Sequence, residues 1–108
     1  MIVRKTEHKE KDNSTGWIEC IYESSNILMS TYLPKKNVLY ISFVRGGVYS
    51  YTNISNEIYE KFESSDSQGK FFINEIKNNE KHPYAKEFKL FKSEVEDAKR
   101  IIKEWKEN

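Results

Sequence analysis

Nucleophilic catalysis needs a nucleophile, a base within reach and a group that orients the base. The candidates in this chain are Cys20, Ser24, Ser25 and the two histidines, His8 and His82. His8 falls in a polar N-terminal stretch, and nothing in the sequence around His82 marks an orienting acid. With a single cysteine, neither an internal disulfide nor a multi-thiolate zinc site can form. Glycine-rich phosphate loops, carboxylates paired in a cleft setting and metal-ligand spacings are missing from the pattern. The reading is a non-enzymatic chain that uses no metal and no cofactor.

Binding chemistry is better supplied. Tyr40, Tyr49 and Tyr51 cluster in one apolar stretch, and phenol rings on an open sheet stack bases at roughly 1–3 kcal/mol each. From Lys77 to Lys92, five lysines (77, 81, 86, 89 and 92) against two glutamates (80 and 87) leave a local +3, with His82 and Tyr84 among them. Lysines beside Tyr84 can hold phosphates while the ring takes a base; the plain alternative is a solvated linker. Lys70 beside Gly69, at a helix start, hints at anion binding, although glycine there also permits close packing. The candidate ligand-binding residues are therefore Tyr40, Tyr49, Tyr51, Lys70, Lys77, Lys81, His82 and Tyr84.

The elements that must position them follow from local pattern. Residues 4–16 carry no large apolar side chain and predict a flexible N-terminal arm over 1–16, with structure starting at Trp17. Trp17 to Tyr22 and Ile27 to Leu33 favour strands, and Pro34-Lys-Lys-Asn37 favours a turn. Val38 to Val44 and Val48 to Thr52 form a hairpin about Gly46-Gly47. Leu39, Ile41 and Phe43 share one face of that hairpin, and Tyr40, Ser42 and Val44 the other. A two-residue turn sets Tyr49 and Tyr51 beside Tyr40 and Ser42, as an aromatic platform or packed against the C-terminal helix. A three-residue loop changes the parity and sends both tyrosines to the core.

Helices follow. Ser55 caps Asn56 to Glu63, the Ser64–Ser67 cluster caps a second helix through Phe71, Phe72 and Ile76, and Ser93…Glu96 has the capping-box spacing. The helix it opens, 93–107, bears a stripe of Val95, Ala98, Ile101, Ile102 and Trp105. That stripe docks on its own domain or serves as a dimer or partner surface. The expected fold class is α+β: a three- to four-stranded antiparallel β-meander packed against two to three helices, with residues 17–108 as one domain.

Composition bounds the partner. Lys and Arg number 18 against 17 Asp and Glu, a net +1, so polyanion binding must come from a local patch rather than bulk charge. No apolar run approaches a membrane span or a signal peptide, so the cytoplasm is the expected location and no membrane contact is expected.

From Ser24 to Tyr84 the chain resembles the KTSC domain family. Ser24-Ser25 with Ile27 and Tyr32 corresponds to its opening strand, and Leu39-x-Ile41-x-Phe43, Gly46 and Tyr49-x-Tyr51 to its hairpin. Ile58-Tyr59 corresponds to its first helix; Ser65-x-Ser67-x-Gly69-x-x-Phe72, Ile76-Lys77 and Tyr84 correspond to its second. Ser55 stands where the family usually has proline, and Ile73 where it has asparagine. The resemblance implies a core over 24–84, a small bacterial or phage protein, and an association with RNA through the family's attachment to lysyl-tRNA synthetases. RNA or single-stranded nucleic acid is the expected partner of a monomer or weak dimer. The alternative is a protein–protein interaction module such as a phage-type inhibitor or adaptor.

Overall fold

Six strands follow one another along the chain and across one sheet. The computed structural model describes residues 1–107, so Asn108, the last residue of the expected domain, lies outside the described residues. The strands are β1 (Ile2–Lys9), β2 (Thr15–Tyr22), β3 (Ile27–Leu33), β4 (Val38–Phe43), β5 (Gly47–Tyr51) and β6 (Tyr84–Lys89). They are hydrogen-bonded in the order β1-β2-β3-β4-β5-β6, each antiparallel to its neighbour. The fold is thus α+β with a meander, but of six strands rather than three to four.

Both additional strands come from polar sequence. The arm expected over 1–16 is instead β1 and its turn into β2, so regular structure begins at Ile2 rather than Trp17. Backbone pairing with β2 compensates for the missing apolar side chains, since an edge strand needs only one hydrogen-bonded neighbour. Side chains add to it: His8 stacks on Trp17 at 4.5 Å, and Lys5 Nζ lies 2.9 Å from Glu63. The lysine-rich stretch after Pro83 is likewise a strand, and every residue of β6 is exposed.

One sheet face carries Cys20, Tyr22, Tyr32, Leu39 and Ile41, all essentially buried. Two helices cover it. α1 (Asn56–Ser64) starts where Ser55 Oγ accepts from the Ile58 amide at 3.2 Å, and it buries Tyr59 and Phe62. Tyr32 and Tyr59 stack at 4.1 Å and 3°, and the Tyr32 hydroxyl donates to the Ile54 carbonyl at 2.7 Å, tying the helix entry to the sheet. α2 (Gln68–Phe71) opens at Ser67 and runs into a π-helical turn over Phe72–Ile76, which sets both Phe72 and Ile76 inward. The Lys77 amide closes that wide turn on the Phe72 carbonyl at 2.8 Å.

The opposite face takes α3 (Lys92–Glu107), which buries Ala98 and half-buries Val95, Ile101 and Ile102. Among the described residues, no helix is long and apolar enough to cross a membrane. The cap of α3 differs from the expected Ser93–Glu96 box: Glu94 reaches back to accept from the Phe91 amide at 3.2 Å, so the helix starts one residue earlier.

Candidate nucleotide-binding cleft

The register of the β4–β5 hairpin decides where the tyrosines go. The Gly46 amide bonds the Phe43 carbonyl at 2.7 Å, and Gly46 has φ +95°, a left-handed value suited to glycine. Val44, Arg45 and Gly46 therefore make a three-residue loop that ends on a left-handed residue. Pairs become Leu39↔Tyr51 and Ile41↔Tyr49, so the odd-sum register of a two-residue turn is overturned. Tyr49 and Tyr51 share the face of Leu39 and Ile41, under the helices, and do not stand beside Tyr40.

Only one of the two is sealed. Tyr51 is 4% exposed and meets Phe72 edge-on at 5.1 Å. Tyr49 is half-buried and edge-on to Phe43 at 5.8 Å. Tyr84, opposite Tyr51 in the β5–β6 register, is 64% exposed, with its ring 5.9 Å from that of Tyr49. Together with Phe43, Arg45, Gly47, Lys77 and Asn78, these three tyrosines line a cleft of about 480 Å³, within the range of small-ligand sites. The π-helical turn builds its far wall, because the chain leaves it at Lys77 and turns through Asn78, whose φ is 58°.

Charge concentrates here. Arg45 and Lys77 line the cleft, Lys86 is the cross-strand partner of Tyr49, and the Lys89 side chain packs over Gly46. Among the described residues, none of these four cations has a salt-bridge partner. Glu87, the nearest acid in sequence, is turned to the other face, where it accepts from Ser50 Oγ at 2.6 Å. A chain of net +1 therefore carries an uncompensated basic rim around exposed aromatic rings. Burial, and then the neighbouring Tyr49 and Tyr84, push the Tyr51 hydroxyl up to about 12.

Four of the eight residues singled out in the sequence meet in this cleft: Tyr49, Tyr51, Lys77 and Tyr84. The other four do not. Tyr40 is half-buried on the opposite face, in a groove toward α3 that Ala98 and Ile101 also line. Lys70 borders a separate cleft with Ser24, Ser25 and Gly69. Lys81 is exposed, and its carbonyl accepts from Asn53 Nδ2 at 3.1 Å. His82 is buried, with Nδ1 3.2 Å from the Thr52 carbonyl, so it fastens the loop that leads to Tyr84. Sequence reasoning missed Arg45 and Asn78. Asn78 carried a turn signal that could have found it; Arg45 became visible only once the loop length was known. Cys20 is buried beside Tyr59, and burial raises its thiol pKa, which leaves it a poor nucleophile.

The sequence pattern of the KTSC domain matches residues 23–79, more than half of the chain. A crystal structure of a KTSC domain protein from Yersinia pestis superposes with a TM-score of 0.60 at 31% identity, covering 65% of this chain and 96% of that one. No curated protein matches significantly. Tyr84, β6 and α3 lie beyond the matched segment, and β1 and β2 precede it.

Proposed function

This chain belongs to the KTSC domain family, a non-catalytic module, and on that premise we propose that it binds single-stranded nucleic acid, RNA above all, through the tyrosine-lined cleft. The observation that carries the reading is two accessible phenol rings beside Arg45 and Lys77, which line the cleft, and Lys86 and Lys89 on the adjoining strand, none of the four with a salt-bridge partner among the described residues. Phosphates are held by long, solvated cations and unstacked bases by aromatic faces, and the cleft offers both within one small volume. The reading includes a cytoplasmic location and action as a monomer or weak dimer.

Titration of labelled RNA across a salt series tests it. Affinity should fall with rising salt, and Tyr84→Ala should weaken binding by about 1–3 kcal/mol while leaving thermal stability nearly intact, because the ring is mostly exposed. Silence at low salt, or an indifferent Tyr84→Ala, would reject the reading.

A second reading, a protein-interaction module, is favoured by the apolar side chains left uncovered near α3. Phe88 is 55% exposed, Phe91 76% and Trp105 39%. Aromatic patches of this kind suit protein interfaces as well as RNA. A purified partner that survives nuclease treatment and is lost on Phe91→Ala, but not on Tyr84→Ala, would favour the protein reading.

A further inference from the structure

We infer that the cleft takes one unpaired nucleotide at a time, from a loop, a bulge or a strand end, rather than a continuous run of bases. The inference rests on the nucleic-acid reading above and concerns how many bases the site can hold.

Ring geometry sets the number. Tyr49 and Tyr84 are 5.9 Å apart with 51° between their planes, the separation of two rings already in contact. No base fits between them, so a base can lie only against the outward surface of Tyr84, beside Tyr49. Tyr51 is closed off by Phe72 and Phe43 by Tyr49. Sheet-based readers that stack two or three bases need further rings in line on the same face.

The β5–β6 ladder removes that option. Its register shifts between Val48 and Tyr49, so Val48 pairs with Phe88 while Tyr49 pairs with Lys86. The shift makes Glu87 the extra residue and sends Phe88 to the α3 face, where it lines a different groove with Val48 and Leu90. Tyr40 is on that face too. One aromatic position remains on the cleft side.

The cations sit on either side of that position. Arg45 and Lys89 lie at the hairpin end and Lys77 on the opposite wall, with Lys86 next to Tyr49. In this arrangement they take the phosphates preceding and following the single nucleotide. Bases inside a duplex are stacked on both faces and cannot present one to Tyr84 without being unpaired first; only an end pair leaves a face open.

The test uses the whole chain in competition binding at fixed low salt. The probes are a uridine trinucleotide, a uridine dodecanucleotide, an RNA hairpin with an unpaired loop and a blunt RNA duplex of the same length. The trinucleotide and dodecanucleotide should agree within about tenfold once binding frames are counted, and several chains should load on the longer strand. The hairpin should compete and the duplex should not. Tyr84→Ala should lower affinity for both single strands by the same factor, about 5- to 150-fold, and Tyr84→Trp should retain it. A rise of a hundredfold or more from the short to the long strand would overturn the single-nucleotide inference while leaving nucleic-acid binding intact. So would a duplex that competes as well as the hairpin. No binding by any probe would remove the underlying reading as well.

Discussion

Replacing Gly69 by alanine tests how α2 is seated on the β2–β3 turn. A Cβ on Gly69 would stand 2.7 Å from Asn26 Oδ1 and 3.2 Å from Ser24 Oγ, closer than normal contact allows. Asn26 cannot yield freely. Its Oδ1 accepts from Ser24 Oγ at 2.9 Å, and its carbonyl accepts from the Val44 amide at 2.8 Å, so both ends of the residue are held. Rotating the side chain would forfeit a hydrogen bond worth about 1 kcal/mol. Moving α2 instead would lift Phe72, 1% exposed, from the core. Overpacking of this kind costs about 1–3 kcal/mol, against which alanine regains up to about 1 kcal/mol of helix propensity. The expected net loss is about 1–2 kcal/mol, a fall in Tm of roughly 4–16 °C for a domain of this size. Urea and thermal unfolding of Gly69→Ala, Asn26→Ala and the double variant would measure it. Most of the cost should vanish once Asn26 is alanine, as a coupling of about 1 kcal/mol. Alanine at 69 as stable as glycine, or an equal loss in both backgrounds, would refute the packing argument.

Three further outcomes are expected. Gly46→Ala should cost about 1–2 kcal/mol in a urea titration, because φ +95° is strained for a side chain, and unchanged stability would undo the three-residue loop. Ser30→Ala should cost about 1–3 kcal/mol by stranding the buried Tyr22 hydroxyl, which now meets Ser30 Oγ at 2.6 Å, whereas the paired change Tyr22→Phe with Ser30→Ala should restore part of it. Alkali should unfold the chain: burial lifts Tyr32 and Tyr51 from 10.0 to about 12 and shifts Tyr22 and Tyr59 further the same way. The folded state then keeps protons that the unfolded chain releases, so stability is whole below pH 10 and falls toward pH 12. Unfolding midpoints followed with tyrosinate absorbance would check this, and a flat profile across that window would contradict it.

Much of the covered half of the sheet was legible in the residues. Ser55 announces its helix because a hydroxyl there satisfies an orphan amide, and Tyr59 and Phe62 mark the buried side of α1. Leu39 and Ile41 alternate as a half-covered strand should, and both are fully buried. The edges were not legible. β1 and β6 are held by backbone hydrogen bonds to a neighbour that the sequence does not name, so side-chain patterning carries no signal for them. Half of the candidate site was lost for a related reason: Lys70 and Lys81 share the lysine chemistry of Lys77, but α2 holds Lys70 and a separate turn holds Lys81 elsewhere.

By itself the sequence determined the alternation of faces, the caps of α1 and α2, the family and the presence of tyrosines within a basic neighbourhood. Tertiary structure decided which face those tyrosines occupy and which of them stays open to solvent. The reason is parity. One additional loop residue at Arg45 or Gly46 turns every side chain of β5 over, and its energetic cost depends on the helices waiting on the far side. The bulge at Glu87, opposite Val48 and Tyr49, repeats the same logic on β6, leaving Tyr84 as the one aromatic residue of β6 beside the cleft.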